Sequence, residues 1–135
     1  MKIKLFILFF LFFKEIIFSQ ISFDTIQITD NSVKDWLATN GKQLVVDSHG
    51  TVHIVFLRQN AQNKSWNVFY MNNYEGLWGE SIPLTNSSKE DTSFGWCSFE
   101  VDSNDKIHVV IQKNIKENNT WTYSKILYFN NVSSY

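Results

Sequence analysis

The chain repeats itself, and that limits what it can fold into more than any other feature. Val45-Val46-Asp47-Ser48-His49-Gly50-Thr51-Val52-His53-Ile54-Val55-Phe56 aligns with Glu100-Val101-Asp102-Ser103-Asn104-Asp105-Lys106-Ile107-His108-Val109-Val110-Ile111 at an offset of 55 residues. Trp66 meets Trp121 at the same offset. Phe69-Tyr70-Met71-Asn72-Asn73 then meets Leu127-Tyr128-Phe129-Asn130-Asn131 after a three-residue insertion. Upstream, Asp24-Thr25-Ile26-Gln27-Ile28-Thr29 echoes Glu80-Ser81-Ile82-Pro83-Leu84-Thr85. Ordered matches at one period are the signature of a tandem array whose units bury their apolar faces on one another.

Each unit reads as β structure. Two short β-branched runs flank Asp-Ser-His-Gly in the first copy and Asp-Ser-Asn-Asp in the second. Asp, Asn and Gly accept the left-handed conformations of a tight turn, so both copies predict a hairpin. Residues 67–71 and 124–129 supply a third strand. Residues 82–85 supply a fourth, which Pro83 marks as an edge because proline cannot donate to a ladder. No segment keeps a 3.6-residue apolar period, so we expect no helix beyond the N-terminal region. Four antiparallel strands per roughly 55 residues describe a β-propeller blade. The expected fold is all-β, two four-stranded propeller-type blades, with an ordinary sandwich of about eight strands as the alternative. The units run 24–79 and 80–135. Read as blades, they become an outer strand (24–29), a blade (43–85) and a second blade (97–131) lacking its outer strand. Two blades cannot close a ring, which takes about 4 to 8. The expectation is therefore a homo-oligomer that completes the ring, or a fragment of a longer propeller.

Residues 1–19 stand apart. Lys2 and Lys4 precede the apolar run 5–13, and Ser19 offers a small residue for cleavage, the pattern of a secretory signal peptide. A membrane-spanning helix needs about 20 apolar residues, and Lys14-Glu15 interrupts this one early. The expected location is secreted or cell-surface, without membrane association after cleavage. Setting aside Lys2, Lys4, Lys14 and Glu15 moves the net charge from −1 to −3 and leaves Arg58 as the one arginine. No basic footprint for nucleic acid remains. Cys97 is the one cysteine, so stability comes from packing rather than disulfides.

The consensus Val-Asp-Ser-x-x-x-(Val/Ile)-His-(Ile/Val)-Val, a strand ending in Tyr, then Asn-Asn, with Gly76-Leu77-Trp78 following in the first unit, resembles the repeats of secreted bacterial β-propellers related to the sialidase-like (BNR/Asp-box) superfamily and to some propeller lectins. The resemblance implies carbohydrate recognition. It departs at the Asp-box: residues 72–78 keep Gly76 and Trp78 but lack the Asp, and 130–135 lose both. Sialidases of that family hold the substrate carboxylate with three arginines, which Arg58 alone cannot supply. The expected role is a binding module without catalytic residues. The alternatives are a truncated N-terminal piece of a sialidase-like glycoside hydrolase and a structural or protein-interaction propeller.

Individual residues sort by whether they recur. Asp47 and Asp102 are expected to cap their turns, and His53 and His108 to bond neighbouring groups as blade-building residues. Trp66 and Trp121 also recur, and core packing between blades is the expectation for them. Trp36, Trp78 and Trp96 do not recur as a set and lie beside turn residues. They, with Arg58, are the candidate ligand-binding residues, Trp78 foremost, because aromatic rings stack on the apolar faces of sugars. No metal is assigned, since His49 and His53 straddle a turn without an evident third ligand, and no cofactor is expected. Cys97 is expected to be buried. Asn63, Asn86, Asn118 and Asn131 begin glycosylation sequons that matter only in a host that glycosylates.

Overall fold

A computed structural model of the chain describes residues 25–30, 32–37, 41–87, 89 and 91–130. The expected signal peptide and Asp24 lie outside the described residues. Among the described residues eight strands are formed: β1 (Asp35–Trp36), β2 (Leu44–Val46), β3 (Val52–Gln59), β4 (Trp66–Asn72), β5 (Ile82–Pro83), β6 (Thr92–Val101), β7 (Ile107–Glu117) and β8 (Thr120–Asn130). A 3-10 turn at Tyr74–Gly76 is the one helical element among the described residues. The protein is all-β, in two antiparallel sheets that do not close on each other.

Sheet A runs β1-β3-β4-β5, with β2 also on β3. β1 pairs with the far end of β3 (Trp36 opposite Leu57) and β2 with its near end (Val45 opposite His53). Because β4 occupies β3's other edge, β1 and β2 are two pieces of a single broken strand. Pro83 sits in the edge strand β5, as its missing N–H requires. Sheet B is β6-β7-β8.

The repeat is real at the level of hydrogen bonds. In the first turn Gly50 N donates to Asp47 O and Asp47 N to Thr51 O; in the second, Asp105 N donates to Asp102 O and Asp102 N to Lys106 O. Gly50 and Asp105 both take the left-handed conformation, φ +84° and +57°. At the far end the repeats diverge. A six-residue loop joins β3 to β4, whereas Asn118 and Asn119, both at positive φ, turn β7 directly into β8. Two such residues match the right-handed twist of the flanking strands.

Residues 25–30 form no strand. The outer strand expected at 24–29 is therefore not formed over the described part of that segment. Instead Ile28 packs against the Ile54, Phe56 and Met71 cluster, on the face of sheet A opposite the shared core.

Side-chain parity sets the packing. On β3, His53, Val55 and Leu57 face sheet B, together with Val45, Val68 and Tyr70. Sheet B answers with Phe94, Cys97, Phe99, Ile107, Val109 and Ile111. Val55, Leu57, Val68, Val109 and Ile111 are at most 1% exposed, and each such side chain contributes roughly 1.5–3 kcal/mol of burial free energy. Cys97 lies in this core, and burial pushes its thiol up to about 11. Ile54, Phe56 and Met71 form a second cluster on the opposite face of sheet A.

Two features join the sheets. Gly41 lies against β6, where an added Cβ would stand 2.6 Å from the Cys97 carbonyl oxygen and 2.9 Å from Ser98 Cβ. The next residues bond both ways: Phe99 N donates to Lys42 O, and Val55 N to Gln43 O.

Candidate functional site

The recurring Asp, His and Tyr form one device, built twice. Asp47 Oδ1 accepts the N–H of His49 and Thr51, and Oδ2 lies 3.2 Å from His53 Nε2. His53 Nδ1 is 2.7 Å from the Tyr70 hydroxyl. In the second unit Asp102 Oδ1 accepts the N–H of Asn104 and Lys106, Oδ2 lies 3.1 Å from His108 Nε2, and His108 Nδ1 is 2.7 Å from the Tyr128 hydroxyl. A carboxylate only accepts, so in a neutral ring the proton sits on Nε2 and the tyrosine O–H donates to Nδ1. Each chain of bonds ties a turn to the two strands that follow it. Burial pushes the Asp47 carboxyl upward, but the Thr51 N–H, the His53 ring and the His49 N–H outweigh it and hold the group below its ordinary value. Asp102 is held low by the Lys106 N–H, the His108 ring and the Asn104 N–H.

The two turns also meet. Ser48 N and Oγ donate to Asp105, and these bonds hold its carboxyl low. Asp47, His49 and Asp105 thereby bring ligand-type atoms within 4.8 Å of one another. The oxygens are already engaged: Asp47 has three partners and Asp105 accepts from Ser48 twice, with His49 Nδ1 3.2 Å away. Binding a cation there would cost those bonds.

At the opposite end of the sheets lies a cleft of about 610 Å³ whose lining includes Trp36, Trp66, Trp96 and Trp121. A β-bulge places Trp96. The β6–β7 register shifts between Gly95 and Cys97, making Trp96 the extra residue, and its φ is +24°. The bulge also resets parity, so that Phe94 and Cys97, three apart, both reach the core while Trp96 stays 54% exposed. Bulges beside functional sites commonly re-aim a side chain in this way. A second shift, between Ile115 and Lys116, adjusts β8 where Trp121 pairs with Lys116. Trp36 pairs with Leu57, and its ring centroid is 5.9 Å from that of Trp66.

Amides and hydroxyls complete the lining. Gln112 Nε2 donates to Asn114 Oδ1 and Ser124 Oγ, and Ser124 Oγ donates to Asn114 Oδ1. Asn63 Oδ1 accepts from Ser65 N and Oγ. Ser93 Oγ accepts from Trp66 N, binding one sheet to the other across the cleft. Gly95 lies close by, where a Cβ would stand 3.3 Å from Asn114 Nδ2.

The candidate ligand-binding residues therefore divide. Trp36 and Trp96 meet in the cleft. Trp78 packs against Ile54, Phe56 and Met71 on the far face of sheet A. Arg58 is elsewhere too: Nε and Nη2 donate to the Asp35 carboxylate at 2.8 and 3.1 Å, Nη1 donates to Ser81 Oγ, and the guanidinium lies over Phe56 and Phe69. Trp66 lines the cleft while packing against the core. Trp121 departs from the core role expected of it, being 53% exposed in the same cleft. Its side of sheet B has no sheet packed on it, so recurrence in sequence did not bring equal burial. Gln112 and Asn114 carry no sequence signal in so Asn-rich a chain, and Asn63 is marked there only as the start of a sequon.

No protein-family model matches the chain, and no curated protein matches it in sequence.

Proposed function

We propose that this chain is an exported carbohydrate-binding repeat protein whose two sheets are β-propeller-type blades, and that the four-tryptophan cleft is its sugar site. The observation carrying this reading is the cleft lining. Four indoles offer flat apolar faces for the C–H faces of sugar rings, and Asn63, Gln112 and Asn114 stand among them as groups that bond hydroxyls. The volume suits a small oligosaccharide, since ligand sites run from about 300 to 1,000 Å³. Binding rather than hydrolysis is favoured because none of the described lining residues is Asp or Glu, whereas glycoside cleavage uses a pair of carboxylates across the bond. The blade reading is supported by the matching turns and by the order of strands in each sheet.

A glycan array probed with the chain from Gln20 onward tests the proposal. The expected outcome is selective binding that weakens at least tenfold, about 1.4 kcal/mol, in Trp96→Ala and in Trp121→Ala, and is unchanged in Arg58→Lys. A folded protein that binds no glycan overturns it.

A further inference from the structure

The polar groups of the tryptophan cleft are not interchangeable, because most of their hydrogen-bonding capacity is already spent. Gln112 uses both Nε2 hydrogens, one on Asn114 Oδ1 at 2.7 Å and one on Ser124 Oγ at 2.8 Å. Asn114 Oδ1 takes its second hydrogen bond from the Ser124 hydroxyl. The two amides are therefore locked head to tail. An acceptor remains at one end, Gln112 Oε1, and a donor at the other, Asn114 Nδ2, neither with a partner among the described residues. Asn63 gives its oxygen to Ser65 and one N–H to Ser87 O, and keeps one N–H.

The sheet fixes this orientation. Gln112 and Asn114 stand two apart on one face of β7, where successive side chains alternate. Gln112 pairs with Gly95 and Ile126, and Asn114 with Ser93 and Ser124. Both are half-buried in the cleft, and Gly95 adds no side chain on the β6 side.

An acceptor and a donor at opposite ends of a fixed pair match a secondary amide. Such an amide is planar and trans, with its N–H and C=O pointing opposite ways. Laid antiparallel beside the pair, it donates its N–H to Gln112 Oε1 and accepts from Asn114 Nδ2 with its carbonyl oxygen. Sugars carry that group as an acetamido substituent, whose methyl gains from cover by the surrounding indoles. We propose that the cleft recognises N-acetylated hexosamines, Gln112 and Asn114 reading the acetamido group while a tryptophan stacks on the ring. This rests on the cleft being the sugar site. Two neighbouring hydroxyls reach the same ends, but their hydrogens rotate and they bring no methyl to bury, so the plain hexose binds more weakly. The free amine is worse. It is a cation without a carbonyl, entering a cleft where Lys64 is the one charged residue among the described lining.

Titration calorimetry with matched sugars tests the assignment. The probes are the β-1,4-linked trimers of N-acetylglucosamine, glucose and glucosamine, with N-acetylgalactosamine and galactose as a second pair. In at least one pair the acetamido sugar should bind tenfold or more tightly than its hydroxyl counterpart. The glucosamine trimer should bind no better than the glucose trimer. Asn114→Asp keeps the oxygen that Gln112 and Ser124 use and removes the free donor, so it should erase the preference within that pair. Trp96→Ala should weaken both members alike and leave their ratio. Equal affinities within both pairs, or array binding confined to glycans without an acetamido group, overturn the acetamido assignment and leave the sugar site standing. A preference that survives Asn114→Asp overturns the role given to that donor. A folded protein that binds no glycan overturns the sugar site, and this assignment with it.

Discussion

The two Asp–His–Tyr chains are the same chemistry in different solvent, and removing the tyrosine hydroxyl from each should expose the difference. Tyr70 is 3% exposed and its hydroxyl lies 2.7 Å from His53 Nδ1 and accepts from Asn72 Nδ2 at 2.9 Å. Tyr70→Phe leaves the ring in place and strands an imidazole nitrogen in a region where water does not reach. An unsatisfied buried polar group costs about 1–3 kcal/mol. Taking 2 kcal/mol and a urea slope of about 1.5 kcal/mol per molar, the unfolding midpoint should fall by roughly 1.3 M. Tyr128→Phe removes the same bond at His108, but Tyr128 is 57% exposed and water replaces the lost partner. Its cost should stay under about 0.5 kcal/mol. Both variants are compared with the unaltered protein under the same conditions. Equal midpoint shifts, or a larger one for Tyr128→Phe, would refute the claim that burial decides what these bonds contribute.

Two further outcomes follow from the geometry. Asp47, Asp102 and Asp105 sit below their ordinary 3.8 in the folded state, and Glu100 below 4.5 through its hydrogen bond to Lys42. The unfolded chain therefore takes up protons first on acidification: the stability these groups supply is complete above about pH 4.5 and drains away as pH falls through and below 3.8. Urea midpoints measured from pH 6 to 2.5 should decline in that window, and Asp47→Asn with Asp102→Asn should flatten the decline. Gly41→Ala places a methyl 2.6 Å from a backbone oxygen of β6 and should cost about 1–3 kcal/mol by forcing the sheets apart, read by thermal unfolding.

Much of the architecture is legible in the sequence because the repeat keeps its turn chemistry: Asp47-Ser48 and Asp102-Ser103 announce the two hairpins, and Pro83 announces an edge. The histidines were legible as repeat residues for the same reason. The cleft was not. Trp36 and Trp96 sit at comparable places, where the first strand of each sheet is interrupted beside Leu57 and Gln112. One interruption takes the seven residues between Trp36 and Leu44 and the other is a single-residue bulge, so their spacing departs from the repeat period. Trp121 departs in the opposite way: it holds the repeat position of Trp66 without its burial. Trp78, two residues past Gly76, carries the strongest sequence case for a site, yet the 3-10 turn before it delivers the ring to the Ile54 cluster. The strand expected at 24–29 is not formed over residues 25–30, where Ile28 packs on the Ile54 cluster instead.

The most direct test of the sugar site uses the five tryptophans as their own reporters. With 15N-labelled indoles, each Nε1–H gives one NMR signal, assigned by single substitutions and followed while the tightest-binding array glycan is titrated in. The cleft predicts saturable shifts at Trp36, Trp66, Trp96 and Trp121 and a stationary Trp78. Shifts centred on Trp78, or four cleft signals that do not move while the glycan binds, would contradict it.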